Sequence, residues 1–360
     1  MTAPQPPKKR HRFLRLSGYL RSGTLACAFV LAVAGFAVES VAAWRERRLF
    51  PPPGQMVDVG GYRLHIQCLG NGSPTVVLDT GLGSGALSWG AAMPEIARHT
   101  RVCAFDRAGY GWSDTGPKPR TSSRITTELR ALLHDAGIPG PYILVGWSFG
   151  GFTARLYAHR YPEETAGVVL VESAHEEQFA RYVPAMVAGF KKAGLNLDGP
   201  VRWAGGPEQA HTAVETAAAR LRLWQSRLGW ARWSRRHERA SAERFGELQH
   251  GYTWAVLEEK AAWEQSIAEM RGVRNLGNMP LVVVSRGRGI EGPYPAWFPA
   301  QEIEAAWQDM QKDLTRLSAN SRQVFARRSD HLVPQRQPEI VVESVLSLLA
   351  AGRGSAAPAY

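Results

Sequence analysis

The run Gly146-Trp147-Ser148-Phe149-Gly150 carries the clearest chemical signal in this 360-residue chain. A serine hydroxyl is a useful nucleophile only when the backbone holds it clear of its neighbours and a base accepts its proton. The pattern G-x-S-x-G is typical of a cramped turn from a strand into a helix, where flanking glycines leave room for the serine. An apolar run over 142–145 precedes this turn and a helical pattern follows it. Ser148 is therefore a candidate nucleophile.

Segments with strand and helix patterns alternate along the chain after residue 55. Strands are predicted over 56–59, 62–68, 75–79, 101–105, 142–145, 168–171, 281–284 and 323–326. Helices are predicted over 89–97, 125–136, 152–160, 303–317 and 338–349. Strands that are apolar on both faces and alternate with helices are typical of a mainly parallel sheet that is covered on each side. The expected fold class is therefore α/β.

The block between Glu172 and Pro280 has no strand signal. Its patterns are helical, and it is rich in tryptophan and arginine. Trp263, Ile267 and Met270 fall on one face of a predicted helix, and we interpret them as a packing stripe. The block is therefore predicted to be a helical insert in the sheet-forming part of the chain.

Most of the formal charge of +11 lies at the start of the chain. Residues 1–50 hold nine of the 43 lysines and arginines and only two of the 32 acidic residues. No zinc-finger, RNP or basic-zipper pattern accompanies this basic excess. The charge therefore does not indicate nucleic-acid binding, and no nucleic-acid partner is expected.

The basic residues flank one apolar segment, residues 25–44, which is long enough to cross a bilayer. We expect an uncleaved transmembrane anchor, with residues 1–24 as a basic cytoplasmic lead and the body outside, by the positive-inside rule. A signal peptide that is cleaved to release a secreted or periplasmic body is the first alternative, and a buried soluble helix is the second. Residues 45–55, which include three consecutive prolines, are predicted to be a stiff linker.

The three cysteines form no metal-binding pattern, and no metal is expected. Cys68 and Cys103 lie in predicted strands and could form a disulfide in an oxidising compartment. Two buried free thiols are an equal alternative. The glycines around Leu82 do not follow the dinucleotide-binding pattern, so no cofactor is expected either.

Four motifs together point to a family. They are Thr80-Gly81-Leu82-Gly83, the run from Asp106 to Ser113, the turn at Ser148, and Asp330-His331 before Gln337-Pro338-Glu339. With these motifs, residues 57–349 resemble the α/β-hydrolase superfamily, and most closely bacterial abhydrolase-type serine hydrolases with a helical cap. The resemblance implies an eight-stranded, mostly parallel sheet built from residues 56–172 and 280–350. It also implies a cap over 173–279, inserted after the sixth strand. Separately, the short Gly/Ala/Pro run over 351–360 is predicted to be a flexible tail.

The resemblance also implies roles for individual residues. His331 follows the last strand, where the superfamily places its general base. The backbone N–H groups of Leu82 and Phe149 are expected to form the oxyanion hole. The acid departs from the commonest pattern: Glu172, directly after the sixth strand, is preferred, Glu291 is the alternative, and it also remains open that neither serves.

A serine nucleophile in this setting predicts hydrolysis of an ester, thioester or amide through an acyl-serine intermediate. Dehalogenase and epoxide-hydrolase chemistry is disfavoured, because both use a carboxylate nucleophile. The expected partners are a small-molecule ester or lipid substrate and, through residues 25–44, a membrane. Two alternatives remain open: acyl transfer to a lipid or alcohol, and a binding module without catalysis.

Overall fold

In a computed structural model of the chain, the structure describes residues 50–194, 252–289, 294–295 and 297–354, and the single positions 30, 33, 37, 41 and 48. The chain divides into two compact units, Met1–Pro51 and Pro52–Tyr360. The strands and helices considered below all belong to the second unit.

Eight strands form one sheet. They are β1 (Gln55–Asp58), β2 (Arg63–Leu69), β3 (Thr75–Asp79), β4 (Val102–Phe105), β5 (Tyr142–Trp147), β6 (Thr165–Val171), β7 (Leu281–Arg286) and β8 (Ser321–Ala326). Their spatial order is β1-β2-β4-β3-β5-β6-β7-β8. β2 pairs antiparallel with β1 and β4, and all neighbours from β4 to β8 pair in parallel. The prediction of an eight-stranded, mostly parallel sheet is confirmed.

Nine α-helices lie among the described residues. They are α1 (Met93–Ala97), α2 (Ser122–Asp135), α3 (Gly150–Arg160), α4 (Gln178–Lys192), α5 (Tyr252–Ala261), α6 (Trp263–Met270), α7 (Ala300–Leu314), α8 (Val333–Arg336) and α9 (Pro338–Gly354). Three short 3₁₀-helices cover Ala86–Trp89, Pro162–Glu164 and Thr315–Leu317.

Apolar side chains on the two faces of the sheet belong to two separate cores. In β6, Val168 and Leu170 pack in a core with residues of α2 and α3. Val169 and Val171 point the other way, into a core with residues of α1 and α9. Each such buried aliphatic side chain stabilises the fold by about 1.5–3 kcal/mol. Because alternate residues face opposite cores, a one-residue slip would misplace every one of them, and this fixes the strand register.

The starts of α1 and α2 differ from the sequence prediction. α1 begins at Met93 rather than at residue 89, because a 3₁₀-helix over Ala86–Trp89 and then Gly90 come first. α2 begins at Ser122, three residues before the predicted start. The Thr121 side chain accepts a hydrogen bond of 3.3 Å from the Arg124 N–H and so caps the first turn. Polar residues such as Thr121 and Ser122 do not contribute to a hydrophobic pattern. The pattern alone therefore did not predict the first turn of α2.

The described residues between β6 and β7 contain the three helices α4, α5 and α6. Residues 195–251 of the predicted insert lie outside the described part of the chain. In α6, Ile267 and Met270 are buried, and the Trp263 ring lies 5.2 Å from the Phe149 ring, centroid to centroid. These three residues pack in the core that also contains residues of α2 and α3, as their spacing predicted.

A disulfide joins Cys68 on β2 to Cys103 on β4. The two residues are direct partners in the antiparallel ladder. Of the two states that the sequence left open, the structure therefore contains the disulfide.

The segment 25–44, predicted to be a transmembrane anchor, lies outside the described residues apart from the four single positions 30, 33, 37 and 41. Among the helices that the structure does describe, none combines the length and the apolar character that a bilayer crossing requires.

Candidate active site

Ser148 lies directly after β5, at the carboxyl edge of the parallel strands. The turn is tight: a Cβ atom on Gly146 would lie 2.4 Å from the Gly150 carbonyl oxygen, so only glycine fits there. The φ of Ser148 is 54°, in the left-handed region. Strain of this kind costs about 1–3 kcal/mol and is typical of functional sites. The strand-to-helix turn predicted from the sequence is thus present and strained.

His331 lies in the loop between β8 and α8, and its imidazole reaches Ser148. Nε2 of His331 is 3.0 Å from Oγ of Ser148, 183 positions away in the chain. The carbonyl oxygen of His331 accepts a 2.9 Å hydrogen bond from Nε1 of Trp147. The residue before the candidate nucleophile therefore also holds the loop that carries the imidazole.

Glu172 follows β6 and lies beneath the imidazole. Its Oε2 atom is 3.1 Å from Nδ1 of His331. The residue is fully buried, and its φ is 47°. Among the described residues, Ser148 and Glu172 are the two non-glycine positions with positive φ. Backbone strain is thus concentrated at the two strand ends on either side of His331.

The carboxylate of Glu172 has three further hydrogen bonds. Oε1 accepts from the backbone N–H of Arg286 at 2.7 Å. Oε2 accepts from Nε1 of Trp307 at 2.9 Å and from Nη1 of Arg286 at 3.1 Å. A buried carboxylate needs such donors, because burial of a polar group without hydrogen bonds is costly. They also fix the position of the oxygen that faces the imidazole.

Arg286 and Trp307 are site residues that the sequence analysis missed. Arg286 ends β7, and an arginine at a strand end carries no signal of a contact with a distant carboxylate. Trp307 is on α7, 135 positions from Glu172, and no local pattern links the two. The alternative acid, Glu291, lies outside the described residues.

The two predicted oxyanion donors flank Ser148. Phe149 is the next residue in the chain, and Leu82 lies in the loop after β3. A Cβ atom on Gly81 would lie 3.2 Å from the Ser148 Cβ, so this loop packs directly against the serine. Among the described residues, no acceptor takes a hydrogen bond from the N–H of Leu82 or Phe149. Both groups are therefore available to a negatively charged oxygen at Ser148.

A buried arginine, Arg107, fixes the loop that contains Leu82. Arg107 donates to the carbonyl oxygens of Thr80 at 2.7 Å and Gly81 at 3.0 Å, and to Oδ1 of Asp79 at 2.7 Å. Its Nε donates to Oε1 of Glu259 on α5 at 2.8 Å. Burial disfavours the charged form of Arg107, but the charges of Glu259 and Asp79 outweigh burial and raise its pKa. With these carbonyls turned toward Arg107, the loop is fixed by a contact with the helical insert.

Glu259→Gln is expected to destabilise the fold by about 3 kcal/mol, because breaking a buried ion pair leaves an uncompensated charge. The free energy of unfolding in urea measures the effect. Glu258→Gln is the matched control. Glu258 pairs with Lys118, whose side chain is 64% exposed, and such pairs contribute about 0–1 kcal/mol. Equal losses in the two variants would contradict the ion-pair account.

A cavity of about 490 Å³ opens beside the site. It is lined by Gly83 and the following residues of the β3 loop, and by Trp147, Tyr252 and Leu332. Ser148 and His331 do not line it themselves, but the neighbouring Trp147 and Leu332 do. The volume is in the usual range for small-molecule sites.

Among the described residues that line this cavity, Asp106 is the one charged residue. Its Oδ1 accepts from the Ala86 N–H at 2.8 Å, and its Oδ2 is 2.8 Å from Nδ1 of the buried His65. These contacts tie the end of β4 to the loops around it. The carboxylate is therefore engaged within the protein, and the cavity wall is otherwise uncharged.

His175 lies in a separate buried cluster. Its Nδ1 accepts from the Glu177 N–H at 3.1 Å, and its Nε2 lies 3.4 Å from Oδ2 of Asp313. Burial lowers the pKa of His175. The neutral His175 imidazole therefore connects the start of the helical insert to α7. Among the described residues, no group of three or more His, Cys, Asp or Glu side chains is arranged to hold a metal ion.

Comparisons with known proteins agree with this architecture. The chain is 28% identical over 293 residues to an uncharacterised vacuolar membrane protein of Saccharomyces cerevisiae (strain YJM789), an alignment that covers 71% of this chain and 44% of the relative. The chain spans about half the length, or less, of the first curated relatives that it matches.

Two solved structures share the fold. An esterase from Thermogutta terrifontis superposes with a TM-score of 0.53 at 19% identity, covering 82% of this chain and 98% of the other. An enol-lactonase from Burkholderia xenovorans LB400 gives 0.55 at 19% identity, covering 82% and 100%. A family profile described as the alpha/beta hydrolase fold matches residues 74–259, just over half of the chain. On that match, and with this sheet, the chain belongs to the α/β-hydrolase superfamily.

Proposed function

We propose that the protein is a serine hydrolase that cleaves carboxylic esters, or related thioester or amide bonds, through an acyl-serine intermediate. One observation carries the proposal: a continuous series of polar contacts runs from Ser148 through His331 to Glu172. The two distances, 3.0 Å and 3.1 Å, are within the reach of proton transfer and of a hydrogen bond that orients the ring. In this proposal Ser148 is the nucleophile, His331 the base and Glu172 the acid of a triad.

In the proposed reaction, Nε2 of His331 takes the proton of Ser148 as Oγ attacks the acyl carbon. The tetrahedral oxygen receives hydrogen bonds from the N–H groups of Leu82 and Phe149. The imidazolium, stabilised by Glu172, then gives its proton to the departing alkoxide, and the acyl group remains on the serine. Water repeats the sequence: it loses a proton to His331, attacks the acyl carbon, and releases the acid and the serine hydroxyl.

The type of nucleophile supports ester cleavage over epoxide or haloalkane opening. Those reactions proceed through an alkyl ester on a carboxylate, which water can hydrolyse. A serine would instead form an alkyl ether, which has no acyl carbon for water to attack. Fold similarity at 19% identity says nothing about the reaction, so the proposal depends on the side chains of this chain.

The cavity supports an uncharged, medium-sized substrate group. Its wall offers small residues and aromatic rings, and its one carboxylate, Asp106, already accepts internal hydrogen bonds. A charged substrate group would find no counter-charge among the described residues that line the cavity. We therefore infer a neutral acyl or alcohol group at this position.

Full-length protein should hydrolyse p-nitrophenyl esters with an initial burst equal to one product molecule per enzyme, which indicates an acyl-enzyme. A series of acyl chain lengths would define the preference. A fluorophosphonate probe should label the peptide that contains Ser148. Failure of both hydrolysis and labelling would indicate the binding module without catalysis. New esters formed with added glycerol would indicate acyl transfer instead.

We further propose that residues 173–279 form a cap over the site and that residues 25–44 anchor the protein in a membrane with the body outside. The contact between Glu259 and Arg107 supports the first proposal, since it joins the insert to the loop beside Ser148. The apolar run with basic flanks supports the second, as does the similarity to a protein described as a vacuolar membrane protein. Release of the protein from membranes by alkaline carbonate would refute the anchor.

A further inference from the structure

The carboxylate beneath His331 is shared between an imidazole and a guanidinium. Oε2 of Glu172 faces Nδ1 of His331 at 3.1 Å and Nη1 of Arg286 also at 3.1 Å. Arg286 is 7% exposed, so little water screens its charge from the carboxylate. In a triad, the imidazole needs only the carboxylate on its Nδ1 side. The guanidinium is thus an addition to the site, and its effect on the reaction can be worked out from charge.

Arg286 is rigidly held. Its Nε and Nη2 atoms donate to Oε2 of Glu304 at 3.2 Å and 2.6 Å, and its guanidinium lies 5.1 Å from the centre of the Trp307 ring. Burial disfavours the charged form, but the hydrogen bonds to Glu304 and the charge of Glu172 outweigh burial and raise its pKa. The group is therefore a permanent, fixed positive charge beside the acid.

We propose that Arg286 is a positioning residue that sets the pH at which His331 becomes a working base. The proposal rests on the proposed function of Ser148, His331 and Glu172. A lone buried anion at Glu172 would strongly favour the protonated imidazole. Arg286 offsets part of that anionic charge, so removal of the guanidinium should strengthen the preference for the protonated imidazole. Glu304 acts in the opposite direction, because it offsets the charge of Arg286.

The charged and titratable groups around this cluster come from every element packed against it. Glu172 follows β6, Arg286 ends β7, Glu304 lies on α7, and Tyr182 lies on α4 with its ring 6.5 Å from that of Trp307. Asp330, next to His331, pairs with Arg336 at 2.8 Å. Asp330 keeps its partner in the variants below, so it does not change the comparison.

The test measures the titration midpoint of the His331 ring by NMR in the full-length protein, with the signal assigned by its loss in His331→Gln. Arg286→Met should move the midpoint to higher pH by roughly one unit, the low end of the effect of a nearby charge on a partly exposed group. Glu304→Gln should move it to lower pH. Arg286→Lys, which keeps the charge, should restore most of the wild-type value. The acidic limb of kcat/KM should move in step with the midpoint.

Arg288→Met is the matched control, since Arg288 is an exposed arginine two residues further on, and it should leave the midpoint unchanged. Opposite shifts in Arg286→Met and Glu304→Gln support the proposal, whereas the same midpoint in both variants overturns it. If Arg286→Met does not fold, the acidic shift in Glu304→Gln decides alone. The NMR readout needs no turnover, so an inactive protein with shifted midpoints would refute the hydrolase proposal and leave the role of Arg286 standing.

Discussion

Ser148→Ala is expected to lower kcat for p-nitrophenyl ester hydrolysis by roughly 10⁵- to 10⁶-fold, the scale seen when a serine nucleophile is removed from a hydrolase. Without Oγ no acyl-enzyme can form, and the base at Nε2 of His331, 3.0 Å away, has no hydroxyl to activate. The residual rate would come from water held near the N–H groups of Leu82 and Phe149.

Ser88→Ala is the control for this loss, because Ser88 lines the neighbouring cavity. It should keep kcat within a few fold of the wild type. Thermal unfolding should show that both variants fold. The substitution should hardly change the backbone strain at position 148, because alanine is no more stable than serine at a positive φ. Activity of Ser148→Ala within tenfold of the wild type would refute the nucleophile.

Glu172→Gln is expected to lower kcat by about 10⁴-fold, the size of effect reported for the corresponding acid-to-amide change in a serine protease triad. Oε2 of Glu172 faces three donors, from His331, Trp307 and Arg286. An amide NH₂ at that position cannot accept from any of them, and an amide oxygen there would leave its NH₂ against the Arg286 N–H. The imidazole then loses both its orientation and the charge that stabilises its protonated form.

Glu291→Gln is the decisive comparison for the acid, since the sequence left both glutamates open. If Glu172 orients the base, Glu291→Gln should leave kcat close to the wild-type value. The same kinetic assay and an unfolding measurement apply to both variants. Full activity in Glu172→Gln together with a large loss in Glu291→Gln would transfer the role to Glu291.

Local chemistry made much of the fold predictable. Buried strands such as β5 and β6 are apolar on both faces, and both faces are buried only in a sheet that is covered on each side. The turn at Ser148 could be predicted because Gly146 and Gly150 leave the space that the backbone itself must occupy. The start of α2 was missed because capping by Thr121 is a polar contact without periodicity.

By itself, the sequence determined the sheet, the helix periods, the strained turn and the residue types able to do acyl chemistry, because these depend on contacts within a few positions. Only the tertiary structure decided what surrounds the acid. Glu172, Arg286, Trp307 and His331 come from four elements spread over about 160 residues, and they meet because parallel strands end at one edge of the sheet. The Cys68–Cys103 disulfide and the Arg107–Glu259 ion pair likewise join residues that are separated in the sequence. Such pairings depend on distances across the fold, and a linear pattern of residues does not contain those distances.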